Sequence, residues 1–483
     1  VYITPLFLSI FTLNFFIFHI AISIITNIKF LLKHFNNNFT FFKLHIFRLY
    51  ANIYILRGEN MDERLTLLQS QNHLINLIRC NPQISKTELS NKLKLSWPTI
   101  STNVGNLKEH SILLPEEGIQ VNPNAAHMLG LSVGAAQIKF CIVGLDFSPI
   151  QYTIFLQLLD KLDLFKEARK FMSEQGKEIT NYVYFRTPNT LTALQNLLDS
   201  IIEEICKIID NQQDFSLNII SFGITFTGAI DNINQRIIKS HNLEILSGKA
   251  LNHILSPKRM DYFERKQINI YMDNNSTSAV VAEKYNLYIP GNSNYKYKDK
   301  ENLMSIYLGA GIGAGLVFNN KLYRGCTNFV GEIGHIVVPR FPELKADLLE
   351  PSCSCGSSEC LDFRIRNDVF GMTKEQFSNM DSEQIDKFFS KYPEKLEIFA
   401  YYLGYAVNLL NNILNLDMII FTGKFRKVID RLWLLLAQQI NNNSLFYIAN
   451  ECQLTSSDLG ATSPAIGVAI CAYFDKIKAD IEW

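Results

Sequence analysis

The 483-residue sequence has no surplus of charge: 46 Lys and Arg stand against 46 Asp and Glu. That excludes a globally basic nucleic-acid coat and an acidic tail protein, while a small local DNA reader stays compatible with it. Cysteine is scarce, 9 in the whole chain, so no disulfide framework staples it. Three of the nine, Cys353, Cys355 and Cys360, crowd together as metal ligands do. What is plentiful is apolar material, 47% of residues, enough for sizeable cores in about three domains.

Residues 1–60 lack glycine except Gly58 and lack any formal charge before Lys29, yet hold 14 aromatics. A basic start and a small-residue cleavage site are both missing, which argues against a signal peptide. Two expectations follow. Residues 5–28 are long and apolar enough for a membrane helix with its basic flank in the cytoplasm. Alternatively, the Phe-, Asn- and Ile-rich stretch is translated upstream sequence: Arg57-Gly58-Glu59-Asn60 back-translates to a purine-rich run like a ribosome-binding site. Native translation is then expected to start at Met61.

The next segment, 61–122, reads as a winged helix-turn-helix. Leu65, Leu68, Leu74, Ile75 and Ile78 recur at helical spacing over Glu63–Arg79, and Pro82 ends the run. Ser85 and Glu88 form a capping box, and Ser96 caps a third helix that tolerates Pro98 in its first turn. Ile100, Val104 and Leu107 face inward, and Pro115–Gly118 sits between two short wing strands, Ile112–Leu114 and Ile119–Val121. Such a module places its third helix in a major groove. The DNA-contacting set is therefore expected at Lys94, Ser96, Thr99, Ser101, Thr102, Asn103 and Asn106, by hydrogen bonds more than by charge. Six basic side chains face six acidic ones in this segment, so phosphate contacts are few.

Beyond it, apolar strands alternate with small-residue turns. Leu129–Leu145 is strand, turn, strand; Ile219–Ala229 ends in Thr227-Gly228 and is followed by His241-Asn242-Leu243. Ile268–Glu283 delivers Asp273 to a helix start, and Met304–Val317 is a strand, a glycine turn and a strand. Gly331-Glu332-Ile333-Gly334-His335 precedes Cys353-Ser-Cys355-Gly-Ser-Ser-Glu-Cys360. Leu416–Gly423 and Ser456–Ala469 close the series. Two stretches carry no motif: the charged piece Lys161–Gly176, expected to be a solvated helix, and the polar turn cluster Pro290–Asn302.

This series, winged segment included, resembles the ROK family of repressors, open reading frames and sugar kinases, and within it the repressor branch. The resemblance runs from Met61 to near the end, and its most specific part is GEIGH followed by C-x-C-G-x-x-x-C. It implies an α/β, two-lobed, actin-like ATPase (ribonuclease H-like) fold behind the winged domain. The lobes are expected at 123–250 and 251–483, with the last helix returning to the first lobe.

His335, Cys353, Cys355 and Cys360 offer three thiolates and an imidazole, which saturate a tetrahedral zinc and leave no open position. The resemblance implies the same: a structural zinc that steadies the sugar loop. The His-to-Cys gap is long for the family, and Phe341–Leu348 reads as an insertion. The resemblance also implies a hexose held by Asn242, Asp273, Glu332, His335 and Asp362, carboxylates being able to accept several hydroxyl hydrogen bonds. Asp273 would be the general base of a working kinase. Met272 in place of the family's Asn, and Asp362 in place of Glu, are departures.

The phosphate side is degraded. Where the kinases have D-x-G-G-T-K, this chain has Ser132, Gly134, Ala135, Ala136 and Gln137. A hydroxyl does not replace a carboxylate as a magnesium ligand. Gly134, Gly309, Gly311, Gly313 and Gly423 survive as remnants of the nucleotide turns. ATP and magnesium are thus not expected, and the reading is a cytoplasmic, sugar-responsive transcriptional regulator, a repressor of carbohydrate genes. Its partners would be operator DNA, a sugar or sugar phosphate, and further copies of itself as a homodimer or homotetramer. The alternative is a sugar kinase transferring phosphate from ATP to a hexose.

Overall fold

The computed structural model describes residues 63–115, 118–174, 182–211, 217–289, 291–344, 353, 355–443 and 451–483. The start expected at Met61 and the apolar stretch 5–28 lie outside them. The chain divides into two compact units, Val1–Thr66 and Leu67–Trp483; the elements that position the site belong to the second. Among the described residues no helix is long and apolar enough to cross a membrane.

Four helices open the described chain: α1 (Glu63–Ser70), α2 (Asn72–Cys80), α3 (Lys86–Leu93) and α4 (Trp97–Glu109). The single helix expected over Glu63–Arg79 is interrupted at Gln71, which has left helical backbone angles. The caps form as the residues require: Ser85 Oγ accepts from Glu88 N while Glu88 returns a carboxylate to Ser85 N. Ser96 caps α4, and Ile100, Val104 and Leu107 turn inward. The wing closes on one antiparallel bridge, Leu113 to Val121, rather than on two full strands.

Two five-stranded sheets follow, each with the same strand order. The first is β3-β2-β1-β4-β7, from β1 (His127–Val133), β2 (Gln137–Gly144), β3 (Val183–Arg186), β4 (Ile219–Phe226) and β7 (Asn269–Asn274). Between β4 and β7, β5 (Ala229–Asp231) and β6 (Arg236–Lys239) pair as a small ribbon. The second sheet is β10-β9-β8-β11-β12, from β8 (Leu303–Leu308), β9 (Ile312–Phe318), β10 (Lys321–Tyr323), β11 (Met418–Gly423) and β12 (Gln453–Ser456). Each sheet begins with an antiparallel hairpin and continues in parallel, so its inner strands are apolar on both faces and need helices over them.

Two expectations are corrected here. β7 joins the first sheet and Met272 lies in the first core, so residues 251–274 belong to the first lobe rather than the second. The piece at Lys161–Gly176 is not merely a solvated face: the helix Asp163–Glu174 buries Phe165 and Met172 in that same core. The last long helix, Ser463–Lys476, does return to the first lobe, against β1, β4 and β7.

Helix α5 (Asn275–Asn286) lies between the lobes, packed on β8 and β9 and against α6 (Ser463–Lys476). The crossing is close enough that a Cβ on Gly467 would fall 1.7 Å from Ser278 O. Gly467→Ala must therefore push two helix backbones apart, and it is expected to cost about 3 kcal/mol, read as a lower urea midpoint at unchanged slope.

Candidate ligand cleft and metal centre

The C-terminal ends of β4 and β7, the glycine turns and α5 surround a cleft of about 620 Å³. One wall is the turn Gly134–Gln137, closed by Gly134 N donating to Gln137 O at 2.9 Å. The facing turn contributes Gly309, Gly311 and Gly313. Gly423 does not line the cleft; its positive φ of 99° serves backbone packing, since a Cβ there would meet Leu308 O at 2.3 Å.

Asn242, Glu332, His335 and Asp362 all line the cleft. Glu332 and His335 begin and end a short turn, and His335 Nε2 lies 3.9 Å from Glu332 Oε2. Asp362 is held in the first turn of the helix Leu361–Arg364, directly after Cys360. Burial pushes its carboxyl up to about 6, with the neighbouring Cys353 thiolate adding to the effect. Lys424, which also lines the cleft, donates to Phe377 O and Met380 O at 2.9 and 3.0 Å. Burial, reinforced by Lys139, lowers that ammonium to about 7. Sequence reasoning missed both lysines: Lys139 lies within Leu129–Leu145 and Lys424 directly after Gly423, and neither was singled out there.

Asp273 is the main correction. It does not line the cleft. Its carboxylate is clamped by both Arg324 terminal nitrogens, at 3.1 and 2.7 Å, and receives the Tyr271 hydroxyl at 2.9 Å. Asn274 N also donates to Oδ1 at 2.8 Å, so each oxygen already has two donors and neither is left for a sugar hydroxyl. The positions that do face the cleft are Asn274 and Asn275. Asn274 Oδ1 accepts from Ser276 N and Thr277 N, starting α5 there and turning Asn275 inward. Asn-x-Ser/Thr at the strand end was the signal available for this placement. Asn275 Oδ1 in turn lies 3.2 Å from Ser132 Oγ and 3.1 Å from Thr225 Oγ1. Ser132, Thr225 and Asn275 thus form a neutral polar cluster. The carboxylates that line the cleft among the described residues are Glu332, Asp362, Asp381 and Glu383, none of them at the head of α5.

His335 faces two ways. Its Nδ1 is 3.3 Å from Cys353 Sγ, while Cys355 Sγ and Cys360 Sγ are 3.2 Å apart. All four ligand atoms fall within 4.8 Å of one another, a cluster able to hold a metal ion. Three sulfurs and one imidazole nitrogen at this spacing suit tetrahedral coordination, with metal–sulfur bonds of about 2.3 Å. The cluster ties elements together: Val337 bridges to Cys360, and Cys353 N donates to Ser357 O at 2.9 Å. Of the insertion expected at 341–348, only Phe341–Leu344 is described.

On α4, Thr99, Thr102 and Asn106 are exposed, and Lys94 and Ser96 are exposed at its entry. Ser101 and Asn103 are half-buried, and Ser101 Oγ already receives Lys86 Nζ at 3.0 Å. Ser96 is occupied as the cap, its hydroxyl 2.7 Å from that of Thr99. The winged module is joined to the lobes by α2. Arg79 stacks 3.7 Å over the Phe147 ring and donates from Nε to Leu145 O at 2.9 Å. Asn76 donates to Glu482 O and accepts the Tyr285 hydroxyl at 3.1 Å. Tyr285 is near the far end of α5, the helix whose head lines the cleft.

Sequence comparison agrees with this architecture. The ROK family model matches residues 171–473, and a winged helix-turn-helix DNA-binding model matches residues 67–112. The xylose repressor of Bacillus subtilis (strain 168) is 21% identical over 431 residues, covering 84% of this chain and 96% of that protein. A glucokinase of Halalkalibacterium halodurans is 27% identical over 229 residues, 42% of this chain and 63% of its own. Among solved structures, a ROK family transcriptional regulator described as a homologue of the E. coli MLC protein superposes with a TM-score of 0.60. It is 17% identical, over 86% of this chain and 98% of that one.

Proposed function

We propose, from the premise that this chain belongs to the ROK family, that it is a cytoplasmic, sugar-responsive transcriptional repressor in which the kinase chemistry of the fold has been given up. The observation that carries this reading is the double duty of α5. Its head, Asn274 to Ser276, lines the cleft, and its tail at Tyr285 hydrogen-bonds the winged module through Asn76. Twelve residues of helix span about 18 Å, rigidly enough to pass a displacement from ligand to DNA reader.

The sugar would be held by Asn242, Glu332, His335 and Asp362, whose mix of amide, carboxylates and imidazole matches a ring of hydroxyls. His335, Cys353, Cys355 and Cys360 would hold zinc. A bound zinc would supply cross-linking of the loop, with no open coordination position. His335 then fixes the sugar loop by one nitrogen while presenting the other to the cleft. Closure of the lobes on the sugar would change the relative placement of two winged modules in a homodimer or homotetramer, and so their fit to paired operator half-sites. Duplexes selected by the full chain from a randomised pool, then challenged with D-xylose, D-glucose and N-acetyl-D-glucosamine, test this. Sequence-specific capture released by one of these sugars is expected; capture of none, or release by none, would refute it.

The rival reading, a sugar kinase, needs a base at the hydroxyl and an acid for magnesium. The Ser132–Thr225–Asn275 cluster offers neither. Incubation of the full chain with Mg-ATP and the same sugars is therefore expected to yield no ADP above the sugar-free control in a coupled assay.

A further inference from the structure

We propose, resting on the sugar reading given above, that Arg324 is a positioning residue of the sugar response. Clamped to Asp273, it straps the segment that leads to Glu332 and His335 onto the first lobe and so keeps both walls of the cleft in place. Asp273, the general base that the resemblance implied, is then an anchor for the opposite lobe.

Residues 324–331 leave the second sheet at the end of β10 and run to the short turn that bears Glu332 and His335. Their far end is pinned to the second lobe. Gly331 O accepts from Ala314 N on β9 at 2.8 Å, and a Cβ on Gly331, whose φ is 91°, would fall 1.8 Å from Ala314 O. Two side chains of the segment reach the first lobe instead. Arg324 Nη1 donates to Asp273 Oδ1 at 3.1 Å, and Nη2 donates to Asp273 Oδ2 at 2.7 Å and to the Tyr271 hydroxyl at 2.8 Å. Both acceptors stand on β7 of the first sheet. Farther along, Asn328 Nδ2 donates to Asn232 Oδ1 at 2.9 Å, and Asn232 Nδ2 lies 3.3 Å from the same Tyr271 hydroxyl. Asn232 directly follows β5, whose Ile230 belongs to the first core.

One connected network, Asn328 to Asn232 to Tyr271 to Arg324 and Asp273, therefore joins the lobes through side chains. Its centre is firm. The Asp273 side chain is 4% exposed and that of Arg324 21%, and the guanidinium meets the carboxylate with two nitrogens on two oxygens. Such a forked pair fixes direction as well as distance, and removing one partner leaves a buried charge uncompensated. The strap acts on the cleft because of where it leads: Val330, Gly331 and Glu332 line the cleft from the second lobe, while Asn242 lines it from the first. A ligand that needs both walls binds in proportion to the fraction of molecules in which both stand in place. Releasing Arg324 lowers that fraction without touching a residue that lines the cleft.

The test is titration calorimetry of the full chain with D-xylose, D-glucose and N-acetyl-D-glucosamine, repeated with Arg324→Gln, Asp273→Asn and the double variant. For whichever sugar binds, each single variant is expected to weaken affinity about tenfold. The double variant should lose no more than either single one, because both residues act through one contact. Hydrogen exchange should quicken in peptides covering 325–335 of the sugar-free variants, slow again with saturating sugar, and stay unchanged in β1 and β4. A direct sugar contact by Asp273 predicts the opposite pattern: loss in Asp273→Asn, but equal or tighter binding in Arg324→Gln, which frees the carboxylate. That pattern would overturn the assignment, as would unchanged affinity in both single variants. Faster exchange throughout the first sheet would also overturn it, by making the pair a support of the fold alone. If the unaltered chain binds none of the three sugars, the sugar reading falls and this role falls with it; if it binds one and the variants bind equally, only this role falls.

Discussion

Cys360→Ser is expected to abolish the sugar response of the full chain, weakening sugar binding by more than about 100-fold, or roughly 3 kcal/mol. Cys360 is 1% exposed, and three things converge on it. Its sulfur belongs to the His/Cys cluster able to hold a metal ion, its backbone bridges to Val337, and it begins the short helix that carries Asp362. A hydroxyl is a poor zinc ligand beside two thiolates, and in small zinc domains metal affinity is itself folding energy. With the cluster broken, the turn bearing Glu332 and His335 and the helix bearing Asp362 lose their common anchor. Elemental analysis of purified protein should find about one zinc per chain before the substitution and little after it. Intact sugar binding in a metal-free variant would show that packing alone holds the loop.

Arg79→Ala should separate DNA binding from sugar sensing. The guanidinium is buried over Phe147, 5.4 Å from the Tyr473 ring centroid, and Nη1 donates to Asn76 Oδ1 at 2.9 Å. A desolvated cation–π contact of about 2 kcal/mol and two hydrogen bonds of about 1 kcal/mol each place the loss near 4 kcal/mol. None of the residues on the outer face of α4 is touched. DNA affinity without sugar is expected to change by only a few fold, about 1 kcal/mol, while sugar-driven release disappears. Arg79→Lys should fail as well, because lysine keeps the charge without the planar fork or the stacking. Fluorescence anisotropy on a selected duplex, with and without sugar, reads both quantities. Full release retained by the alanine variant would move the coupling away from α2.

The sequence by itself settled what depends on near neighbours. Ser85 with Glu88, and Ser96 with Thr99, are helix starts written in four consecutive residues, and the structure forms both. The ligand quartet was legible for a similar reason: cysteines at close spacing after GEIGH have little else to do in a chain without a disulfide framework. The two-lobed fold came with the family resemblance, and the structure builds it from two sheets of one strand order. Tertiary structure decided what a strand-to-helix junction presents to the cleft. Strand alternation stops where a helix begins, so whether Asp273 or Asn275 looks inward depends on which residue caps α5. Asn274 takes that place, and Arg324, 51 residues away in sequence, claims the one carboxylate nearby. The lobe boundary was likewise out of reach, since β7 joins the first sheet through pairing with β4 rather than through any local signal. Local hydrogen bonding can be read along a chain, whereas the partner of a buried charge is fixed only when distant segments meet.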